Sequence, residues 1–89
     1  MPAEPYKVTA VWDQDSLPAA IRSQHSTKAG TWGLLRVLDG EVDLVFSAGH
    51  TVRVTVGQPG VIPPQDVHHV EFTGPFRMQV EFYKAHPLD

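Results

Sequence analysis

The chain has 89 residues and a formal charge of −3 at pH 7, a length that fits one domain and excludes two separate cores. Seven Lys and Arg residues against ten Asp and Glu residues leave no basic excess to neutralise a phosphate backbone, so we expect no nucleic-acid partner. Without cysteine, disulfides, Cys-ligated zinc and thiolate nucleophiles are excluded. Any metal must be bound by histidine and carboxylate ligands.

The N-terminal segment lacks the pattern of a secretory signal. Its first seven residues contain two prolines and a glutamate, where a signal needs a basic start followed by an apolar run. No stretch approaches the roughly 20 apolar residues of a membrane span. We therefore expect a soluble, cytoplasmic protein without a membrane partner.

Twelve valines, eight prolines and seven glycines predict short strands separated by turns. A first strand is expected between Tyr6 and Trp12, followed by a turn in which the side chains of residues 13–16 bond to their own backbone. Ser16 is positioned to cap one helical turn near Leu17. Further strands are expected at residues 21–25, 34–38, 42–46, 52–56, 61–62, 67–72 and 76–83.

Two of these strands carry specific predictions. Residues 34–38 are apolar on both faces except at Arg36, which indicates a central strand covered on both sides. Asp39-Gly40 then predicts a tight hairpin, because glycine tolerates the positive φ that such a turn requires. The period-two alternation of the strands that follow is typical of half-buried sheet.

Seven or eight short strands at this spacing predict an all-β fold, a small jelly-roll β-sandwich that forms one domain over residues 1–89. Such a short chain leaves sheet edges and apolar faces uncovered. We therefore expect a homodimer that covers them.

Two histidines are candidates for a site. His68 shares a face with Val70 and Phe72 and is expected to point inward, which places His69 outside. His25 ends a strand, so in a rolled sheet it is expected to meet His68 at one mouth. Two neutral imidazoles are a typical start of a divalent transition-metal site, here with Glu81 or Glu71 as the carboxylate. The alternative is that both histidines are hydrogen-bonded to nearby backbone.

Two cationic residues are candidates for an anionic ligand. Lys28, beside a glycine turn, is positioned either to bind an anion or to lie in solvent. Arg36 interrupts an apolar strand, and its alternative role is an ion pair with Glu41 or Asp43 across the hairpin. Nothing in the sequence matches a nucleophile elbow, a P-loop or a dinucleotide fingerprint.

Three sequence strings occur together: HSTKAGTWG at residues 25–33, PPQDVHHVE at residues 63–71 and VEFY at residues 80–83. In this order and spacing, over residues 17–83, they resemble the small cupin-like domain of the TehB/YeaR type. That family is associated with tellurite resistance and is found alone or fused ahead of a methyltransferase. The resemblance implies a single-domain cupin fold and a role in a stress response.

The resemblance also implies a metal site. Gly57, Pro63 and His68 fit the second cupin motif, whereas only His25 is present of the ligands in the first motif. The implied site holds Zn, Fe, Mn or Ni through His25 and His68, and we choose Glu81 as third ligand although strand parity points it away from the core. Lys28, Arg36 and Glu71 are the expected ligand-binding residues.

The resemblance leaves two other roles open. One is a metal-free module that binds or senses an oxyanion or a metabolite, and the other is an accessory domain of a methyltransferase. Neither role requires catalysis, and fold analogy alone does not choose between them.

Overall fold

A computed structural model describes residues 4–88, so Met1 to Ala3 and Asp89 of the predicted domain lie outside the described residues. The all-β prediction is confirmed, with eight short strands and one helical turn in the described part of the chain. The elements are β1 (Lys7–Val8), β2 (Trp12–Asp13), α1 (Ala19–Arg22), β3 (Trp32–Asp39), β4 (Glu41–Phe46), β5 (Thr51–Thr55), β6 (Gly60–Ile62), β7 (His68–Glu71) and β8 (Arg77–Tyr83).

The strands form two antiparallel sheets. The first sheet has the order β1-β8-β3-β6, and β2 pairs with the opposite end of β8. The second sheet has the order β5-β4-β7. The hydrophobic core lies between the two sheets because period-two alternation turns one apolar face of each strand inward. Its buried members include Leu35, Val37, Val42, Leu44, Phe46, Val54, Ile62, Val70, Phe76, Met78 and Val80.

Strand β3 is covered on both faces, as its apolar pattern predicts. Leu35 is 1% exposed within the core, and Leu34 on the opposite face is 0% exposed although it lies outside the core cluster. The chain after β8 folds back over this outer face, where the ring of His86 lies 4.7 Å from that of Trp32 and Pro87 is buried.

The predicted hairpin at Asp39-Gly40 is wrong. Gly40 does adopt a positive φ of 73°, but β3 and β4 belong to different sheets, because β8 and β6 already occupy both edges of β3. The turn is a corner between the sheets. It is packed so closely that a Cβ on Gly40 would collide with the carbonyl oxygen of Pro75. The hairpin that does form joins β4 to β5.

The turn before α1 is built as the sequence predicts, but its cap is not. Oδ1 of Asp13 accepts hydrogen bonds of 2.9 Å from the backbone N–H groups of Asp15 and Ser16, and these bonds lower the pKa of Asp13. The Ser16 hydroxyl bonds to Asp13 instead of capping the helix, and α1 begins after Pro18 without a side-chain cap. Within residues 4–88 no helix has the length and apolar character to cross a bilayer.

Gly60→Ala is expected to destabilise the fold by about 1–3 kcal/mol through overpacking. A Cβ at Gly60 would lie 2.8 Å from Cγ2 of Val54 and 3.1 Å from Cδ2 of Leu44, both fully buried. Gly74→Ala is the matched control, since a Cβ there meets nothing within 4 Å. Urea unfolding measures both variants, and equal stabilities would contradict the packing described for β6.

Candidate functional site

The segment after α1 is joined to β7 by a pair of backbone hydrogen bonds. The N–H of His25 donates to the carbonyl of His68, and the N–H of His68 donates to the carbonyl of His25, both at 2.9 Å. Residues paired directly in an antiparallel ladder present their side chains to the same face. The two imidazoles therefore lie side by side, with their ring centroids 4.3 Å apart.

The ring nitrogens of both histidines have defined roles. Nδ1 of His25 lies 3.1 Å from the carbonyl oxygen of Ser23, and Nδ1 of His68 lies 2.7 Å from that of Asp66. A carbonyl oxygen only accepts, so each Nδ1 carries the proton and, in the neutral ring, each Nε2 carries a lone pair. Among residues 4–88, no hydrogen bond reaches either Nε2.

Burial keeps His68 in its neutral form. His68 is only 2% exposed. The resulting desolvation of the imidazole lowers the pKa of His68 below 6.5. The hydrogen bond to Asp66 opposes this change, and the neighbouring His25 adds to it. At neutral pH, His68 is therefore a buried hydrogen-bond acceptor.

The histidine pair lines a cavity of about 480 Å³ whose walls come from both sheets and from the segment after α1. This volume lies in the range of small-molecule sites, which are mostly apolar with a few polar groups. The inner walls come from both sheets, through Leu35, Ile62, Val70, Val80 and Phe82. The rim and sides are lined by Tyr6, Lys7, Thr9, Trp12, Ile21, Ser26, Thr27, Lys28 and Thr31.

The charge of the cavity is of one sign. Lys7 and Lys28 line it, and among the described residues that line it there is no Asp or Glu. The third lysine of the chain, Lys84, places its Nζ 5.5 Å from the ring centre of Tyr6, which is itself a lining residue. A cleft with cationic groups and apolar walls concentrates a positive potential.

The hydroxyl of Thr27 joins the loop that contains Lys28 to the loop before β7 that contains Gln65. Oγ1 of Thr27 donates to the carbonyl of Thr31 at 2.8 Å and accepts from the N–H of Gln65 at 3.3 Å. Gln65 has a positive φ of 63°, which is uncommon for a residue with a side chain. This link fixes the Lys28 turn against the loop that precedes β7 and His68.

Glu81 does not join the histidine pair. It follows Val80 on β8 and points to the outer face of the first sheet, since the register irregularity of this sheet lies at Val37 and Asp39, away from Glu81. Its Oε2 lies 2.9 Å from Nε of Arg36, and its Oε1 accepts from the Tyr83 hydroxyl at 2.6 Å. The parity argument against Glu81 therefore holds, and the choice of Glu81 as third ligand is corrected.

Arg36 and Glu71 are also directed away from the cavity. Arg36 pairs with Glu81, while the carboxylates expected as its alternative partners, Glu41 and Asp43, pair with Arg53. Glu71 is exposed on the outer face of the second sheet, where it lies 2.6 Å from Nε2 of His69. Of the predicted ligand-binding residues, only Lys28 lines the cavity with the two histidines.

The described residues do not provide the metal ligand set chosen from the sequence. No group of three or more His, Cys, Asp or Glu residues within 4–88 is placed to hold one ion. Two imidazole nitrogens are fewer than the three or more protein ligands of ordinary zinc sites. Divalent metal binding therefore stays a prediction that rests on His25 and His68 alone.

Sequence reasoning missed part of the cavity lining. Lys7 lies on β1, and Thr27 joins the loops that contain Lys28 and Gln65. Local sequence patterns do not predict that Lys7 lines the cavity, because its position depends on the long-range pairing of β1 with the end of β8. Thr27 had a signal in the HSTKAGTWG string, in which it stands beside Lys28.

The comparisons agree on one family. Residues 7–80 match the family model of the TehB-like domain. A "Probable S-adenosyl-L-methionine-dependent methyltransferase TehB" of Haemophilus influenzae is 49% identical over 74% of this chain and 25% of its own length. The crystal structure of TehB from Haemophilus influenzae is similar with a TM-score of 0.81 at 30% identity, over 92% of this chain and 31% of that chain.

A crystal structure of an Escherichia coli K12 protein is similar in fold, with a TM-score of 0.80 at 24% identity over 91% of this chain and 89% of that chain. The curated relatives are much longer than the matched part. This chain spans about a quarter of their length. The methyltransferase named for those relatives is therefore a description of the longer proteins.

Lowering the pH below 6.5 is expected to reduce the free energy of unfolding through His68. Its pKa is lower in the folded protein than in the unfolded chain, so the unfolded state binds more protons as pH falls through this range. The contribution of neutral His68 to the free energy of unfolding is present above pH 6.5, and it is lost as the pH falls through the pKa of His68 in the folded protein. Urea unfolding at pH 7.5 and 5.5 measures the loss, with His68→Leu as comparison. An identical pH dependence in both proteins would contradict a buried neutral His68.

Glu81→Gln is expected to lower the free energy of unfolding by about 1–3 kcal/mol, because a charge-assisted hydrogen bond to Arg36 is lost. Glu81 is 13% exposed but Arg36 is 42% exposed, so solvent around Arg36 compensates for part of this loss and the effect is expected near the lower end of the range. Burial and the bond to Glu81 raise the pKa of Tyr83, so the substitution also moves that pKa back toward 10.0. Urea unfolding and ultraviolet titration measure both effects, with Tyr83→Phe identifying the phenol signal. Unchanged stability and titration would contradict this placement of Glu81.

Proposed function

The chain belongs to the TehB-like domain family, and from that premise we propose that it is a cupin-like binding module for a small anionic molecule with an apolar body. The observation that carries the proposal is the cavity between the sheets, which Lys7 and Lys28 line and to which residues 4–88 contribute no carboxylate. The proposed role is binding or sensing and requires no chemical step.

Charge separation supports an anionic ligand. The chain has a formal charge of −3, yet the acidic side chains within residues 4–88 are absent from the cavity lining, to which this part of the chain contributes Lys7 and Lys28. A carboxylate or another oxyanion entering the mouth therefore meets cationic groups without acidic competitors. The net attraction is expected to weaken with added salt, because both lysines are exposed.

Apolar walls support a ligand with an apolar body. Behind the lysines, the cavity is lined by Leu35, Ile62, Val80 and Phe82. Burying apolar ligand surface against such walls contributes roughly 25 cal/mol per Å². A bare inorganic oxyanion leaves this contribution unused, so we expect an organic anion to bind more tightly than a simple one.

A second proposed role is that of an accessory domain to a methyltransferase. Its support is that the relatives named as probable methyltransferases contain this domain within about a quarter of their length. The two roles are compatible, because a binding module joined to an enzyme can supply or sense its ligand. The homodimer and the cytoplasmic location stay predictions from the sequence.

Lys28→Ala is expected to weaken the binding of phenylacetate about tenfold, a loss that corresponds to 1.4 kcal/mol. Isothermal titration calorimetry at low salt measures the affinity, and phenylacetamide serves as the neutral ligand of similar shape. Lys28→Arg is expected to restore binding in part. Arg77→Ala is the matched control, because it removes an exposed positive charge that does not line the cavity.

The proposal fails if neither phenylacetate nor another aromatic carboxylate of similar size binds, or if phenylacetamide binds as tightly as phenylacetate. Repeating the titration after treatment with a chelator separates the metal-free role from the metal-dependent one. We expect phenylacetate binding to be retained. Loss of binding after chelation, restored by one divalent metal, would instead support a metal site at His25 and His68.

A further inference from the structure

The inner end of the cavity contains two hydrogen-bond acceptors without a protein donor. Nδ1 of His25 and Nδ1 of His68 each donate to a backbone carbonyl, which leaves the two Nε2 lone pairs. Within the described part of the chain, no donor reaches either Nε2 atom. His68 is a buried residue and His25 a half-buried one, and both line the cavity, so their Nε2 atoms are available to accept a hydrogen bond from water or a ligand there.

Two hydroxyls of the lining already donate and accept a hydrogen bond within the protein. The Thr9 hydroxyl donates to the carbonyl of Ala10 and accepts from the N–H of Val80. The Thr27 hydroxyl donates to the carbonyl of Thr31 and accepts from the N–H of Gln65. These hydroxyls complete the walls of the cavity, whereas the two imidazoles keep a bonding position open.

We propose that His25 and His68 form a paired acceptor that selects ligands bearing a hydroxyl or N–H donor as well as the anionic group. This inference rests on the proposed function and adds the ligand class, an organic acid with a donor group. Two adjacent lone pairs repel a carboxylate at the inner end. The anionic group of the ligand is therefore oriented toward the lysines, and its donor toward the histidines.

Backbone pairing makes the acceptor rigid. Each residue of the pair is held by two main-chain hydrogen bonds and one side-chain bond to a carbonyl. A ligand donor consequently meets nitrogens that need no rearrangement, which favours binding because little conformational freedom is lost. A site built around such acceptors also discriminates against analogues that lack the donor, since its polar groups then stay unpaired.

Matched ligand pairs test the inference without any substitution. Isothermal titration calorimetry compares 4-hydroxybenzoate with benzoate, 4-hydroxyphenylacetate with phenylacetate, and 3-(4-hydroxyphenyl)propionate with 3-phenylpropionate. The series varies the separation between the hydroxyl and the carboxylate. We expect at least one hydroxylated acid to bind about tenfold more tightly than its partner, the equivalent of 1.4 kcal/mol.

Substitutions then assign the preference to the histidines. In His25→Phe, the ratio between the affinities for the hydroxylated acid and for its partner is expected to fall to about one, whatever the change in the affinity for the partner itself. His69→Phe is the matched control, because His69 lies on the outer face of the second sheet and pairs with Glu71. Circular dichroism and urea unfolding verify that both variants fold, and the comparison in the unaltered protein stands if one does not.

The outcomes separate the two proposals. If acids bind but no hydroxylated acid exceeds its partner, the paired-acceptor inference is overturned and the proposed function stands. If none of the six acids binds, the proposed function fails and the inference fails with it. Equal loss of preference in His25→Phe and His69→Phe would also overturn the assignment to the histidine pair.

Discussion

The site depends on two main-chain hydrogen bonds, those exchanged between His25 and His68. They attach the segment after the short helix to the edge of the second sheet and fix its register. Because paired residues of an antiparallel ladder face the same way, this register alone places both imidazoles on the inner side. A shift by one residue would turn one ring outward and remove the pair. The chemistry of the cavity is thus a consequence of backbone pairing.

Strand periodicity separates the charges of this protein. The inner faces carry apolar residues and His68, while the outer faces carry ion pairs such as Arg36 with Glu81 and His69 with Glu71. The outer carboxylates therefore have cationic or hydroxyl partners of their own and are kept away from the cavity by the sheet. Lys7 and Lys28 are therefore the charged side chains that the described residues contribute to the cavity lining. Their charge favours an anionic ligand over a cation.

Local patterns were sufficient to predict most of the fold. Alternation in β4, the covered strand β3 and the inward position of His68 all follow from period two, whereas in β5 only Val54 is buried and Val52 is exposed. The hairpin predicted at Asp39-Gly40 is wrong, because a turn sequence indicates the backbone angles of the turn. It does not indicate whether an edge of the preceding strand is available for the next strand to pair with. The family resemblance implies a third metal ligand, and Glu81 is chosen for that role. The alternation of side chains along β8 already points Glu81 to the outer face of the sheet. Lys7 was missed because its place depends on a pairing between the two ends of the chain.

The account is tested most directly by the protonation of the imidazole nitrogens. A long-range proton–nitrogen correlation spectrum of uniformly labelled protein at pH 7.5 distinguishes a protonated ring nitrogen from one with a lone pair. The account predicts that both rings carry a proton on Nδ1, as their carbonyl partners require, and that Nε2 holds the lone pair. A proton on Nε2 in either ring would contradict it.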